Sequence, residues 1–138
     1  MKEDYVDFEA AKLLDKLGYP QKISKLFGNA YYNSKGEFNG TVIDQVENNS
    51  LKSVAAPTLY QAQKWFREVH NIDITPYPEL GKYDVNISKN SEGFLFLEQF
   101  KTYEEVLLEG IKETCKYLLN EKHNTFSKRT KTTKNTNL

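Results

Sequence analysis

With 138 residues, 19 basic against 19 acidic side chains and 38% apolar content, the chain is long enough for one hydrophobic core and too short for two domains of ordinary size. No run approaches the roughly 18 apolar residues of a membrane helix, and the opening MKEDYVDFEAAK has no apolar stretch behind a basic end, so neither a membrane span nor a secretory signal is expected. The single cysteine, Cys115, excludes an internal disulfide and suits a reducing compartment, which points to the cytoplasm.

Asp7 is placed to cap a first helix whose apolar side is Phe8, Ala10, Ala11, Leu13, Leu14 and Leu17. Gly18, with Pro20 two residues on, stops it: glycine takes the left-handed conformation that ends a helix and proline cannot continue one. Residues 27–32 and 37–42 flank Asn33-Ser34-Lys35-Gly36, whose glycine suits the end of a four-residue hairpin loop. Residues 43–55 have two adjacent Asn, several Ser and little periodicity, and read as a surface loop whose backbone needs water.

The clearest helix signal lies in residues 56–78. Pro57 keeps Ala56 extended, and Thr58 with Gln61 fits a capping box in which the hydroxyl accepts a first-turn N–H and the amide reaches back to the cap. Leu59, Ala62, Trp65, Phe66 and Val69 recur at three and four residues, which makes one apolar face; Asn71 can take the left-handed conformation that closes the helix. Trp65 and Phe66 are expected to bury against the strands that begin at Ile72 and Tyr83, with Tyr60 and Gln63 turned outward.

Residues 72–75 and 83–88 alternate apolar and polar, so period two puts Tyr83, Val85 and Ile87 on one face. Pro76 and Pro78 cannot donate to a ladder and mark the end or the edge of the first of these strands. Gly81 closes one turn and residues 90–93 make the next, leading into a third strand over 94–100. Thr102 with Glu105 opens a last helix with the stripe Tyr103, Val106, Leu107, Ile111, Cys115, Leu118 and Leu119. Gly110 lies on that stripe, where it costs about 1 kcal/mol relative to alanine and reads as a point of close approach to the sheet. The predicted fold is a small single α+β domain over residues 1–120, a hairpin and a three-stranded antiparallel meander against about three helices. Residues 121–138 form a polar, basic tail predicted to be disordered, with Lys122, Lys128, Arg129, Lys131 and Lys134 against Glu121, a net +4 that leaves −4 on the body.

No phosphate-binding loop, dinucleotide fingerprint or nucleophile elbow occurs, and the carboxylates are scattered, so no catalytic residue is assigned and no enzyme is expected. Cys115, His70 and His123 lie too far apart for a metal site, and no cofactor is implied. Cys115 reads as a small core hydrophobe and His70 as a helix-end cation. Nine Tyr, eight Phe and one Trp are the unusual feature. Tyr31, Tyr32, Tyr60 and Tyr77, near turns or on polar faces, are the candidates for a protein partner or for self-association, because tyrosine is enriched where surfaces dock. Lys128, Arg129, Lys131 and Lys134 are the candidates for weak, salt-sensitive nucleic-acid contact. The order helix, three strands, helix from Thr58 is that of a double-stranded RNA-binding domain. That module holds phosphates with basic residues at the start of its last helix, where this chain has Glu104 and Glu105.

The stretches DYVDFEAAKLL, APTLYQAQKWFREVHNI and TYEEVLLEGI together resemble a set of small uncharacterised proteins encoded by phages and prophages of gut bacteria, over most of residues 4–119. The resemblance implies a phage or prophage setting and no activity, cofactor or catalytic residue. The functional expectation is a small non-catalytic interaction or adaptor module, with a nucleic-acid-associated accessory protein acting through the tail as the alternative.

Overall fold

A computed structural model of the chain describes residues 4–21, 30–40 and 53–123. Asp7, in extended conformation, accepts the Ala10 N–H at 2.9 Å and starts α1 (Phe8–Leu17), which Gly18 ends at φ 98. The hairpin strands are two residues each, β1 (Tyr31–Tyr32) and β2 (Phe38–Asn39). Asn33 and Glu37 close the turn by a 3.0 Å backbone bond, so the loop between them is Ser34-Lys35-Gly36, one residue shorter than expected, with Gly36 at φ 81. The outer parts of the expected strands, residues 27–29 and 41–42, lie outside the described residues, as does the tail from 124 on.

Two corrections concern the segment before the central helix and the sheet count. Val54 and Ala55 are buried and form β3 (Val54–Ala55), which pairs antiparallel with β1 at the end of the expected surface loop 43–55, whose residues 43–52 lie outside the described ones. The hairpin therefore belongs to a small sheet of its own, β2-β1-β3, separate from the meander. Polar periodicity could not reveal β3 because both its residues are apolar and its partner is distant in sequence. Backbone bonds from Val6 N–H to the Pro57 carbonyl and from Leu59 N–H to the Asp4 carbonyl, at 3.0 and 2.9 Å, tie the residues before α1 to the start of α2 (Leu59–His70).

The Thr58 capping box forms with both its bonds, at 2.8 and 3.1 Å, and Asn71 closes α2 at φ 58. Leu59, Ala62 and Phe66 carry its buried face; Val69, at the far flank of the stripe, is 59% exposed, contrary to the periodicity. Trp65 is half-buried and packs on the rings of Tyr19, Phe66 and His70 at centroid distances of 5.2, 5.2 and 4.9 Å. Gln63 is also half-buried, because its amide donates to the Ile74 carbonyl at 2.8 Å.

β4 (Ile72–Glu79), β5 (Lys82–Lys89) and β6 (Glu92–Phe100) form the expected antiparallel meander in the order β4-β5-β6. β4 runs through both prolines to Glu79, so Pro76 and Pro78 mark an edge and not an end. α3 (Tyr103–His123) starts with the Glu105 N–H bonded to the Thr102 hydroxyl at 3.0 Å and runs past the boundary expected at residue 120. α2 and α3 cover one face of the meander, and α1 packs on α3. The core is continuous from Val6 and Leu14 through Phe66 to Ile72, Ile74, Val85, Ile87, Leu107 and Ile111. Lys112 pins α1 to α3, with its Nζ 2.7 Å from Asp7, 3.3 Å from Glu9 and 3.5 Å from Glu109. Burial alone lowers the Lys112 pKa, but the hydrogen bond and charge of Asp7, with Glu109 and Glu9, outweigh it and raise the pKa, so the ammonium stays charged.

Candidate functional site

The helices occupy one side of the meander, and among the described residues no element is packed on the other. Strand alternation sends Asp73, Thr75, Tyr77 and Glu79 of β4, Asp84 and Asn86 of β5, and Phe96 and Glu98 of β6 to that open face. Tyr77 lies opposite Asp84, and Asn86 lies opposite Phe96. Between Val85–Leu97 and Tyr83–Phe100 the register slips by one residue, so β6 bulges at Glu98 and Gln99, and Gln99 adopts φ 66. Asp84 secures the bulge by accepting the Gln99 N–H at 2.9 Å, and for that reason is only 5% exposed.

The bulge and the β4–β5 turn shape a shallow hollow of about 510 Å³ between Tyr77 and Phe96, with Glu79, Asp84 and Glu98 around it and Lys82 its one basic lining residue. Partial burial and the nearby carboxylates of Asp84, Glu79 and Glu98 raise the Tyr77 pKa above its ordinary 10.0, so at neutral pH the phenol is a hydrogen-bond donor. Phe96 is 49% exposed. Two aromatic rings with three carboxylates favour a cation, which ring faces and carboxylates both attract. A second hollow, of about 460 Å³, lies at the other end of the sheet beside Phe94 and Tyr117, whose rings are 4.6 Å apart. Among the described residues no group of three or more His, Cys, Asp and Glu is placed to hold a metal ion, and no helix is long and apolar enough to cross a membrane.

The four candidate tyrosines do not converge. Tyr32 is a structural residue: its hydroxyl donates to the Val6 carbonyl at 2.6 Å, and its ring packs on Phe8 and Phe38 at 5.4 and 5.3 Å. Burial, then the charge of Asp7, raises its pKa. Tyr31 is its half-buried neighbour in β1, opposite Asn39 and Ala55. Tyr60 is exposed on α2, 6.5 Å from Tyr103, which in turn is 6.1 Å from Tyr83. Only Tyr77 lies in the hollow. Lys128, Arg129, Lys131 and Lys134 fall outside the described residues. Of the residues that sequence reasoning missed, Asp84 was legible in the alternation of residues 83–88, but the bulge that brings Glu98 and Gln99 to it depends on pairing and left no local signal.

Cys115 is fully buried, and burial pushes its thiol up to about 12. His70 is packed between Trp65 and Phe66 at the end of α2. The first turn of α3 carries Glu104 and Glu105, acidic side chains where a phosphate contact would need basic ones. No protein-family model matches this chain, and neither a curated protein nor a solved structure matches it.

Proposed function

We propose that the protein is a non-catalytic interaction module whose open sheet face binds a cationic segment of a protein partner. The observation that carries this reading is the hollow itself, in which Tyr77 and Phe96 stand among Glu79, Asp84 and Glu98 on a sheet face that no described element covers. Aromatic side chains dominate docking surfaces, and three carboxylates supply steering toward a basic partner. Cys115 is buried as a neutral thiol, and His70 packs edge-on against Trp65 and tilted against Phe66. The likeness of residues 4–119 to small phage and prophage proteins favours a bacterial, cytoplasmic setting in which the partner is a host or phage protein. The net +4 of residues 121–138 supports a secondary, salt-sensitive contact with nucleic acid through the tail.

Affinity capture from bacterial cells with the wild-type chain, Tyr77→Ala and Glu98→Lys tests the binding face. Both variants alter exposed or half-exposed side chains, so they keep the wild-type melt within a few degrees and lose the captured partner. Capture that survives both changes refutes the assignment of this face.

A further inference from the structure

Among the described residues, five other than glycine adopt a positive φ: Asn71, Leu80, Asn90, Ser91 and Gln99. Asn71 ends a helix, and Asn90 with Ser91 forms the β5–β6 turn; short polar side chains tolerate this conformation because they can bond to nearby backbone. Leu80 and Gln99 have no such compensation from their own side chains, and both line the hollow between Tyr77 and Phe96. Gln99 is held by the bond from its N–H to Asp84. Leu80 has nothing comparable. Glu79 pairs with Lys82, so Leu80 and Gly81, at φ 49 and 81, are the two central residues of a tight turn of the kind that selects Asn-Gly. The other turn of the meander has asparagine at the equivalent position, Asn90 at φ 52. Leu80 is also 94% exposed, so its side chain recovers almost no packing for the strain it imposes.

We propose that Leu80 sets the specificity of the hollow: it packs on an aliphatic side chain next to the bound cation, so that the site reads a basic residue and its apolar neighbour together. This rests on the binding reading above and adds to it the chemistry of the bound segment. Charge selects the cation. Glu79, Asp84 and Glu98 act together on Tyr77 against the single Lys82, and among the described residues none of the three carboxylates is in a salt bridge. The apolar neighbour is selected by Leu80 at the turn, which leaves water only when a partner covers it. A two-residue turn is stiff, so the backbone under Leu80 is already in place and loses little freedom on binding. Glu79 and Glu98 beside it disfavour a bilayer, whose surface is anionic.

Titration of the isotope-labelled full-length chain with two synthetic peptides, acetyl-Leu-Arg-Leu-amide and acetyl-Ser-Arg-Ser-amide, followed through its amide chemical shifts, tests the proposal. The wild type should shift at Tyr77, Glu98 and Gln99 with both and bind the leucine peptide about threefold to tenfold more tightly, as expected for partial cover of a leucine. Leu80→Asn should bind the two peptides alike. It should also melt roughly 2 to 5 °C above the wild type, because asparagine suits the turn; a structural leucine would give the opposite sign. Tyr77→Ala should shift with neither peptide. Equal affinities in the wild type, a leucine preference that survives in Leu80→Asn, or a Leu80→Asn protein that melts below the wild type overturns the role of Leu80 and leaves the hollow a cation site. No shift of the wild type with either peptide overturns the hollow and this inference together. Binding to phosphatidylglycerol vesicles that is present in the wild type and lost in Leu80→Asn assigns the leucine to a bilayer and overturns the peptide reading.

Discussion

Replacing Gly110 with alanine sets two known effects against each other where α3 crosses the meander. In a helix interior alanine is favoured over glycine by about 1 kcal/mol. The new methyl, however, would lie 2.9 Å from Ile74 Cγ2 and 3.5 Å from both methyls of Val85. The close atom is a branch methyl of a stiff β-branched side chain, on a strand held by β5 and by the Gln63 amide, so it cannot swing aside as the tip of a lysine would. Relief requires α3 to lift from the sheet. Overpacking of this kind costs about 1 to 3 kcal/mol, which offsets the helix gain and leaves a net loss of up to about 2 kcal/mol. For a domain of this size that corresponds to a fall in Tm of up to roughly 10 °C by circular dichroism. The double variant Gly110→Ala with Ile74→Ala should lose less than the sum of the single changes, since the added methyl enters space that Ile74 has left. A Gly110→Ala protein that melts above the wild type would refute the close approach of α3 to β4.

Phe66→Ala is expected to cost about 3 to 5 kcal/mol, and the half-buried Trp65→Ala about 2 to 3 kcal/mol; thermal melts that reverse this order would put the core on the other side of α2. Lys112→Met leaves the Asp7, Glu9 and Glu109 carboxylates facing one another without their cation; because they are partly exposed, the loss should be about 1 to 3 kcal/mol, partly recovered by added salt. Stability should decline on the alkaline side. The Cys115 thiol is raised from 9.0 to about 12 in the folded chain, so above pH 9 the unfolded state ionises first and gains, until about pH 12. The Lys112 ammonium, also raised, contributes fully below its unfolded pKa of 10.5 and loses that contribution as pH rises further. Denaturant titrations between pH 9 and 10.5 should therefore show a shallower decline for Cys115→Val than for the wild type, and a thiol reagent should label native Cys115 only on unfolding.

The larger part of the fold was legible because local chemistry and tertiary packing agree there. Asp7, Gly18, Thr58 with Gln61, and Asn71 fix helix ends by bonds within one turn, and the alternation around Val85 and Ile87 states which sheet face is buried. Even the glycine at position 110 could be read as a contact, since a residue so unfavourable in a helix needs a reason to be there. Other features arose from partners distant in sequence. β3 pairs with a strand more than twenty positions away, Tyr32 is fixed by a hydrogen bond to the distant Val6, and Val69 stays exposed although it continues the apolar stripe of α2. The open-face hollow was the least legible element: Tyr77 could be picked as an aromatic on a polar face, but its neighbours Phe96, Asp84 and Glu98 come to it only through register and a bulge.

With Pro76, Pro78 and the Gln63 amide closing β4 to other backbones, the meander can lengthen on one side only. A strand edge is a bond-forming site, and a sheet with two such sites is a monomer for a polymer: every addition exposes a fresh edge, and growth continues into ribbons and fibres. A sheet with one site has a valence of one. Whatever strand the β6 edge meets, growth cannot continue from the proline-bearing β4 edge. The two prolines thus act at the level of stoichiometry, as chain terminators do in a polymerisation. On the other edge, two register slips in β6 and the charges of Glu92 and Glu98 restrain pairing by a different route.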